Sequence, residues 1–305
     1  MIICVLTLSA ILLVILALYI PFFSYSPSEN STSLMFPPSL LSLRPEPRIV
    51  KRPWKGVSAT SPQQKIIQKF YGTDWESINN LVPDRLHSHI GGESASCKYL
   101  QLLRLQRTDR FLDVGCGYGG LAILAAKQVG CSVTGVELLE QRVLAAIAAS
   151  ESAGVSSRVA FHNYSFEDWN AQGVPYDAAA ALDMLVHIHD KPNFLEKLFS
   201  IVNSNGRILI ADYFTEIPNH SFQFSHPAVA GPLPLKVFET ALGKSKRAIT
   251  FGEDLTAMAL AETEALSRVL SPLKSDCDNF ATNSLHEWEQ HLRERIIQYR
   301  LFLVS

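Results

Sequence analysis

A chain of 305 residues that is 47% hydrophobic and 18% charged can bury a sizeable core, and its length allows one or two domains. A formal net charge of −2 lacks the basic excess of nucleic-acid binders, which disfavours a DNA or RNA substrate. The cysteines Cys4, Cys97, Cys116, Cys131 and Cys277 form no C-x-x-C pair and no zinc-type spacing with histidine, so neither a disulfide framework nor a metal site is indicated.

Residues 1–25 hold no charged side chain and are rich in Leu, Ile, Val and Phe, enough to cross a bilayer as one helix. They read as a retained anchor because a basic n-region and a small-x-small cleavage site are both missing. Arg44, Arg48, Lys51, Arg52 and Lys55 follow the apolar run, so the positive-inside rule puts the rest of the chain in the cytosol. Residues 26–61, rich in Ser and Pro and poor in acids, read as a linker. An apolar leader followed by such a segment also fits a two-part organelle import signal, with the mature chain starting near residues 55–62.

Residues 62–305 form the remaining domain. Within 62–72 the spacing of Ile66, Ile67, Phe70 and Tyr71 predicts a helix, and a loop over 74–92 carries His87 and His89; with the helix 96–105, residues 62–100 read as a lid and leading helix. Across 101–215, apolar strands at 111–114, 132–136, 159–162, 178–182 and 207–211 alternate with helices at 121–129, 140–153 and 193–202, the pattern of a doubly wound, mostly parallel α/β sheet. Gly206 is placed at a helix end. Ligands of such sheets lie beyond the strands' carboxyl ends, which collects Asp113, Glu137, Phe166, Asp183 and Asp212 on one rim, with Asp212 equally readable as a cap. Residues 216–305 form a substrate-side part with helices at 236–242, 252–266 and 283–299 and a strand at 268–273. Only 300–304 suits a closing antiparallel strand, so an incomplete or irregular sheet edge is expected, and Lys244, Lys246 and Arg247 read as a solvated charge run.

The most informative stretch is 111–120, where an apolar strand ends in an acid and a glycine-rich turn opens an apolar helix. Gly115, Gly117 and Gly120 satisfy G-x-G-x-x-G, and Glu137 ends the next strand where a ribose-binding acid is expected, a pattern that alone suits a dinucleotide. Asp113 argues otherwise, because a carboxylate there repels a pyrophosphate and pairs with an ammonium group. The stretch resembles the cofactor loop of class I S-adenosylmethionine-dependent methyltransferases, with Asp113, Gly115, Gly117 and Gly119 on its signature positions and Glu137 on the acid that holds the ribose. Residues 91–93, 134–137, 187–191 and 208–213 extend the similarity to small-molecule methyltransferases of the sarcosine/dimethylglycine, phosphoethanolamine and tocopherol types.

That resemblance implies a Rossmann-like fold, S-adenosylmethionine as cofactor and a small-molecule acceptor, with an amine nitrogen as the leading target. C-methylation of a prenylated ring or other lipid at a membrane, and a catalytically idle cofactor-binding scaffold, stay open beside it. Cofactor contacts are expected from Asp113, Gly115, Gly117, Gly119, Glu137, Leu138, Ser165, Phe166 and Asp183; Ser165 and Phe166 stand where relatives place an acid for the adenine amino group. His187, four residues after Asp183, takes the catalytic position together with Tyr71, and His87, His89 and His189 are assigned to the lid and substrate side.

Overall fold

The computed structural model describes residues 62–69, 86–171, 173, 175–217, 222, 224, 228–270 and 279–305. The anchor and linker expectations (1–61), Tyr71 and most of the lid loop fall outside them. Among the described residues, no helix is long and apolar enough to cross a membrane.

Five strands run parallel in the order β3-β2-β1-β4-β5: β1 (Arg110–Val114), β2 (Ser132–Glu137), β3 (Val159–Asn163), β4 (Tyr176–Leu182) and β5 (Val202–Thr215). Near-continuous apolar runs produce this arrangement because helices cover both faces: Ala178, Ala179, Ala180 and Ala181 are all inaccessible to solvent. Alternating side chains divide the core. Phe111, Ala178 and Leu209 pack on one face with Tyr99 and Leu121, while Leu112, Ala179 and Ile208 pack on the other with Phe194 and Leu195.

The helices are α1 (Pro62–Lys69), α2 (Gly92–Leu103), α3 (Gly120–Gln128), α4 (Glu140–Ser152), α5 (Lys191–Ser200), α6 (Leu235–Ser245), α7 (Thr256–Leu270) and α8 (Asn279–Arg293). A two-residue strand β6 (Leu233–Pro234) pairs with β5. The far edge is complete: β8 (Gln298–Val304) lies antiparallel to β5, and β7 (Ile249–Asp254) lies antiparallel to β8.

Here the C-terminal expectations need correction. Residues 252–254 belong to β7, not a helix, and residues 268–270 end α7 instead of opening a strand. β7 is an edge strand with mostly exposed or half-buried side chains, so it lacks the apolar alternation that marks a strand, and its pairing with the apolar β8 decides its state. Gly206 sits inside β5, where a Cβ would come within 2.5 Å of Val202 and 2.8 Å of the Asp177 carbonyl. Arg247 is not solvated: its buried guanidinium donates to the Phe199 carbonyl in the last turn of α5 and to those of Val202, Asn203 and Gly206, which the irregular start of β5 leaves in need of donors.

Candidate active site

The glycine loop is built by its own backbone. Gly115, Gly117 and Gly119 take φ of 69°, 54° and 85°, which favours residues without a Cβ. The amides of Gly115 and Cys116 donate to the Val136 carbonyl at 2.8 and 3.1 Å, tying the turn to the end of β2. Glu137, buried at that end, accepts from Gly117 N–H at 3.1 Å through Oε2 and from Leu139 N–H at 2.8 Å through Oε1. The adjoining carbonyls of Glu137 and Leu138 accept from the Asn163 amide at 3.0 and 2.7 Å. Each carboxylate oxygen of Glu137 keeps a lone pair for a second donor such as a ribose hydroxyl.

Asp113 ends β1 beneath this loop and is 3% exposed. Burial pushes its carboxyl up to about 7; the Ala122 N–H opposes this, and the nearby Glu137 charge adds to it. Its Oδ2 is buried without a hydrogen-bond partner. An orphaned acid under a glycine cradle fits a cationic ligand group, and S-adenosylmethionine offers both an ammonium and a sulfonium.

On the adenine side, Ser165 Oγ donates to Asp168 Oδ2 at 2.7 Å and accepts from Asp168 N–H at 3.1 Å, while Gln64 of α1 donates to the same Asp168 oxygen at 3.1 Å. The Phe166 ring is buried against Phe194 (4.9 Å between centroids) and Trp169 (6.3 Å). That commits the ring to the core and leaves only its backbone for a ligand.

Residues 86–91 form a strap from the glycine loop to the end of β4. Leu86 O accepts from Gly120 N–H at 3.1 Å, Asp183 Oδ2 accepts from Ile90 N–H at 2.8 Å, and Glu262 of α7 accepts from Gly91 N–H at 2.9 Å. His89 Nδ1 faces the Ile90 carbonyl at 3.0 Å, which can only accept, so Nδ1 carries the hydrogen and Nε2 accepts from Ser96 Oγ at 2.8 Å. Ser96 in turn accepts from His87 Nδ1 at 2.7 Å. Both histidines therefore brace the strap.

Beyond β4, Asp183 takes φ of 50°, and its Oδ1 is buried without a partner. Burial, followed by the Asp212 charge, raises its carboxyl to about 8. Asp212, inaccessible within the second half of β5, accepts from Met184 and Leu185 N–H at 2.8 and 2.7 Å and from its neighbour Tyr213 N–H at 2.8 Å. Burial raises Asp212 to about 6, with those amides and Lys191 opposing. Lys191 is itself buried, donates to the Ile188 carbonyl at 2.6 Å and is lowered by burial to about 8. Asp212 thus holds the short 3-10 helix Leu185–His187, a structural role beyond the cap read from sequence. On that turn His187, half-buried, bonds the Ala228 carbonyl through Nδ1 at 2.9 Å, which fixes Nε2 as its basic nitrogen; His189 is exposed.

Asp113, Glu137, Asp183 and the strap are thus brought together, whereas the Phe166 ring packs into the core and His189 is exposed. Sequence reasoning missed Tyr99, Tyr299 and Glu262. Tyr99 and Tyr299 look like core aromatics in apolar segments, and Glu262 is one charge among several on an amphipathic helix.

A doubly wound sheet with a glycine cradle over an orphaned acid defines a Rossmann-like enzyme built for a cationic nucleoside cofactor. The family model described as "Methyltransferase domain" matches residues 91–241, which supports a class I S-adenosylmethionine-dependent methyltransferase with S-adenosylmethionine as cofactor. Phosphoethanolamine N-methyltransferase 1 of Zea mays is 29% identical over 126 residues, covering 40% of this chain and 24% of that protein. A cyclopropane synthase of Mycobacterium tuberculosis shares the fold at TM-score 0.68 and 16% identity, covering 81% of this chain and 99% of that one. Geranyl diphosphate C-methyltransferase of Streptomyces coelicolor A3(2), solved with S-adenosyl-L-homocysteine, gives TM-score 0.65 and 16% identity over 82% and 99%. The match to the maize protein spans about a quarter of its length.

Proposed function

We propose that this protein transfers the methyl group of S-adenosylmethionine to a nitrogen of a small amine. The observation that carries this reading is the acidity of the rim. Asp113, Glu137, Asp183, Asp212 and Glu262 gather there, and Asp113 and Asp183 each keep a buried oxygen without a partner, which favours cationic groups on both cofactor and acceptor. The maize phosphoethanolamine enzyme supports the same direction.

When bound, the cofactor supplies an electrophilic methyl on sulfur. The chain's own residues then have to align the acceptor, exclude water and remove a proton from an amine that arrives as ammonium. The strap 86–91 covers the loop, since a Cβ on Gly120 would lie 2.3 Å from the Leu86 carbonyl. His187 Nε2 takes the proton, its ring oriented by the Ala228 carbonyl and its turn held by Asp212. A second reading, transfer to carbon on an apolar acceptor, is favoured by the stacked rings of Phe224 and Trp288 (4.6 Å) beside Tyr213. Residues 1–25 serve in either case as a membrane anchor, with the catalytic part in the cytosol.

The test is methyl transfer from labelled S-adenosylmethionine by the full chain, offered small amines beside prenylated phenols and read by mass spectrometry. Label on an amine is the expected result; label confined to a prenylated ring replaces it with the carbon reading. Alkali-resistant membrane association with protease-accessible catalytic residues is expected for the anchor, and a new N-terminus near residue 60 would identify an import leader instead.

A further inference from the structure

We propose that Tyr99 and Asp183 together form the subsite that grips the acceptor's ammonium group, and that Tyr99 makes the site sensitive to how many N–H groups that ammonium retains. This rests on the amine reading above.

Tyr99 lies on α2 with no solvent exposure, its ring 5.6 Å from that of His89. A phenol buried so completely normally has a hydrogen-bond partner, yet Tyr99 Oη has none, and Asp183 Oδ1 is in the same position. The second Asp183 oxygen is already taken by Ile90 N–H. Tyr299, reaching in from β8, stands close enough to perturb both groups, but neither contact attains hydrogen-bond geometry, and its own bond to the Ala211 carbonyl is a long 3.4 Å. Three polar groups from α2, the turn after β4 and β8 therefore converge without satisfying one another.

The surrounding charges select the ligand. Asp212 and Glu262 both add negative potential at Asp183, so an anion is disfavoured and a cation favoured. Aromatic faces continue the subsite: Tyr213 packs 5.0 Å from Tyr299 and 4.5 Å from Trp288, surfaces that attract alkylammonium carbons. A secondary ammonium offers one N–H to Asp183 Oδ1 and one to the Tyr99 oxygen. Each methyl that replaces an N–H removes one of these bonds, and a quaternary product keeps only charge and ring contacts. Progressive methylation thereby loosens the acceptor.

The experiment is calorimetric titration of the full chain, saturated with S-adenosylhomocysteine, with dimethylammonium, trimethylammonium and tetramethylammonium chlorides. Affinity is expected to fall in that order, by about tenfold per lost N–H bond to a charged or buried partner. Tyr99→Phe removes a hydroxyl that bonds nothing, so it should fold; it is expected to erase the step between dimethylammonium and trimethylammonium while S-adenosylhomocysteine affinity holds. Asp183→Asn is expected to weaken all three ions. Equal affinity of the wild type for the three ions, no saturable dimethylammonium binding, or a Tyr99→Phe series with the wild-type steps would overturn the proposal. The wild-type series tests it without any variant. Label on an amine in the transfer assay above together with equal affinities for the three ions strikes the subsite alone, whereas label confined to a prenylated ring strikes the amine reading on which it rests.

Discussion

Glu137, at the end of β2, and Asp183, just past the end of β4, lie on the same sheet edge and are served in opposite ways. Glu137 receives amides from Gly117 and Leu139, within about one supersecondary unit of itself, and both its oxygens are engaged. Asp183 receives one amide from Ile90, 93 residues away, and its other oxygen is left buried and unpartnered. The cofactor side is assembled from contiguous chain that closes on its own backbone. The proposed acceptor side draws on α2, β5, α7, β8 and the turn after β4, and, unlike Glu137, Asp183 takes its one amide from distant chain. Local chain can specify a binding loop by itself, whereas a substrate pocket gathered from distant elements is specified only by the tertiary fold.

The sharpest way to break this division is to remove one residue from each side. His187→Ala should cut turnover by about 10²–10⁴-fold, the usual contribution of a general base, while leaving S-adenosylmethionine affinity unchanged in equilibrium binding. Asp113→Asn should do the reverse, weakening S-adenosylhomocysteine by about 2–5 kcal/mol because it removes one charge from a buried, ligand-completed pair. If His187→Ala also lowers cofactor affinity by an order of magnitude, the two sides are one cooperative unit and the comparison collapses.

The same division explains what could be read before the fold was known. The glycine turn, Asp113 and Glu137 are legible because their meaning is carried by spacing along some 30 residues, and the five parallel strands are legible because burial on both faces makes them continuously apolar. Tyr99 carries no such mark: in an amphipathic helix a core tyrosine and a ligand-binding tyrosine look alike, and only the missing partner for its hydroxyl separates them. Arg247 reads as part of a basic run because nothing local says that three carbonyls at the start of β5 and one at the end of α5 will face it. The edge strand β7 is hidden by its exposed face, and sequence does not tell that the Phe166 ring packs into the core while its backbone stays on the loop.

Titration offers a subtler test. Asp113, Asp183 and Asp212 stand at about 7, 8 and 6 in the folded protein, all above the ordinary 3.8, chiefly through burial. Folding therefore favours their protonated forms. The stability they contribute is fully present below about pH 4 and is lost as pH rises through 6, 7 and 8. The ligand-free protein should accordingly show a thermal midpoint that declines from pH 5 to pH 8.5. Ligand cations favour the ionised acids, so affinity should rise over the same interval: with S-adenosylmethionine through about pH 7, set by Asp113, and with dimethylammonium through about pH 8, set by Asp183. Coincident pH profiles for the two ligands would mean that the acids titrate as one group and that the sides are not separable.

The smallest effect expected is at α1. Gln64 is buried, and its amide donates to Asp168 Oδ2, the oxygen that also receives the Ser165 hydroxyl. Through this shared acceptor the N-terminal helix is tied to the loop after β3 and so to the cofactor side. Losing one such bond costs about 0.5–1.5 kcal/mol. Gln64→Ala should therefore weaken S-adenosylhomocysteine only several-fold while leaving dimethylammonium affinity of the cofactor-saturated protein unchanged. Gln64→Glu should be worse than Ala, because it sets a second carboxylate against Asp168. Should either variant instead weaken the ammonium ion more than the cofactor product, α1 acts on the acceptor pocket, and the boundary between the two sides has to be redrawn to place the N-terminal helix with Tyr99 and Asp183.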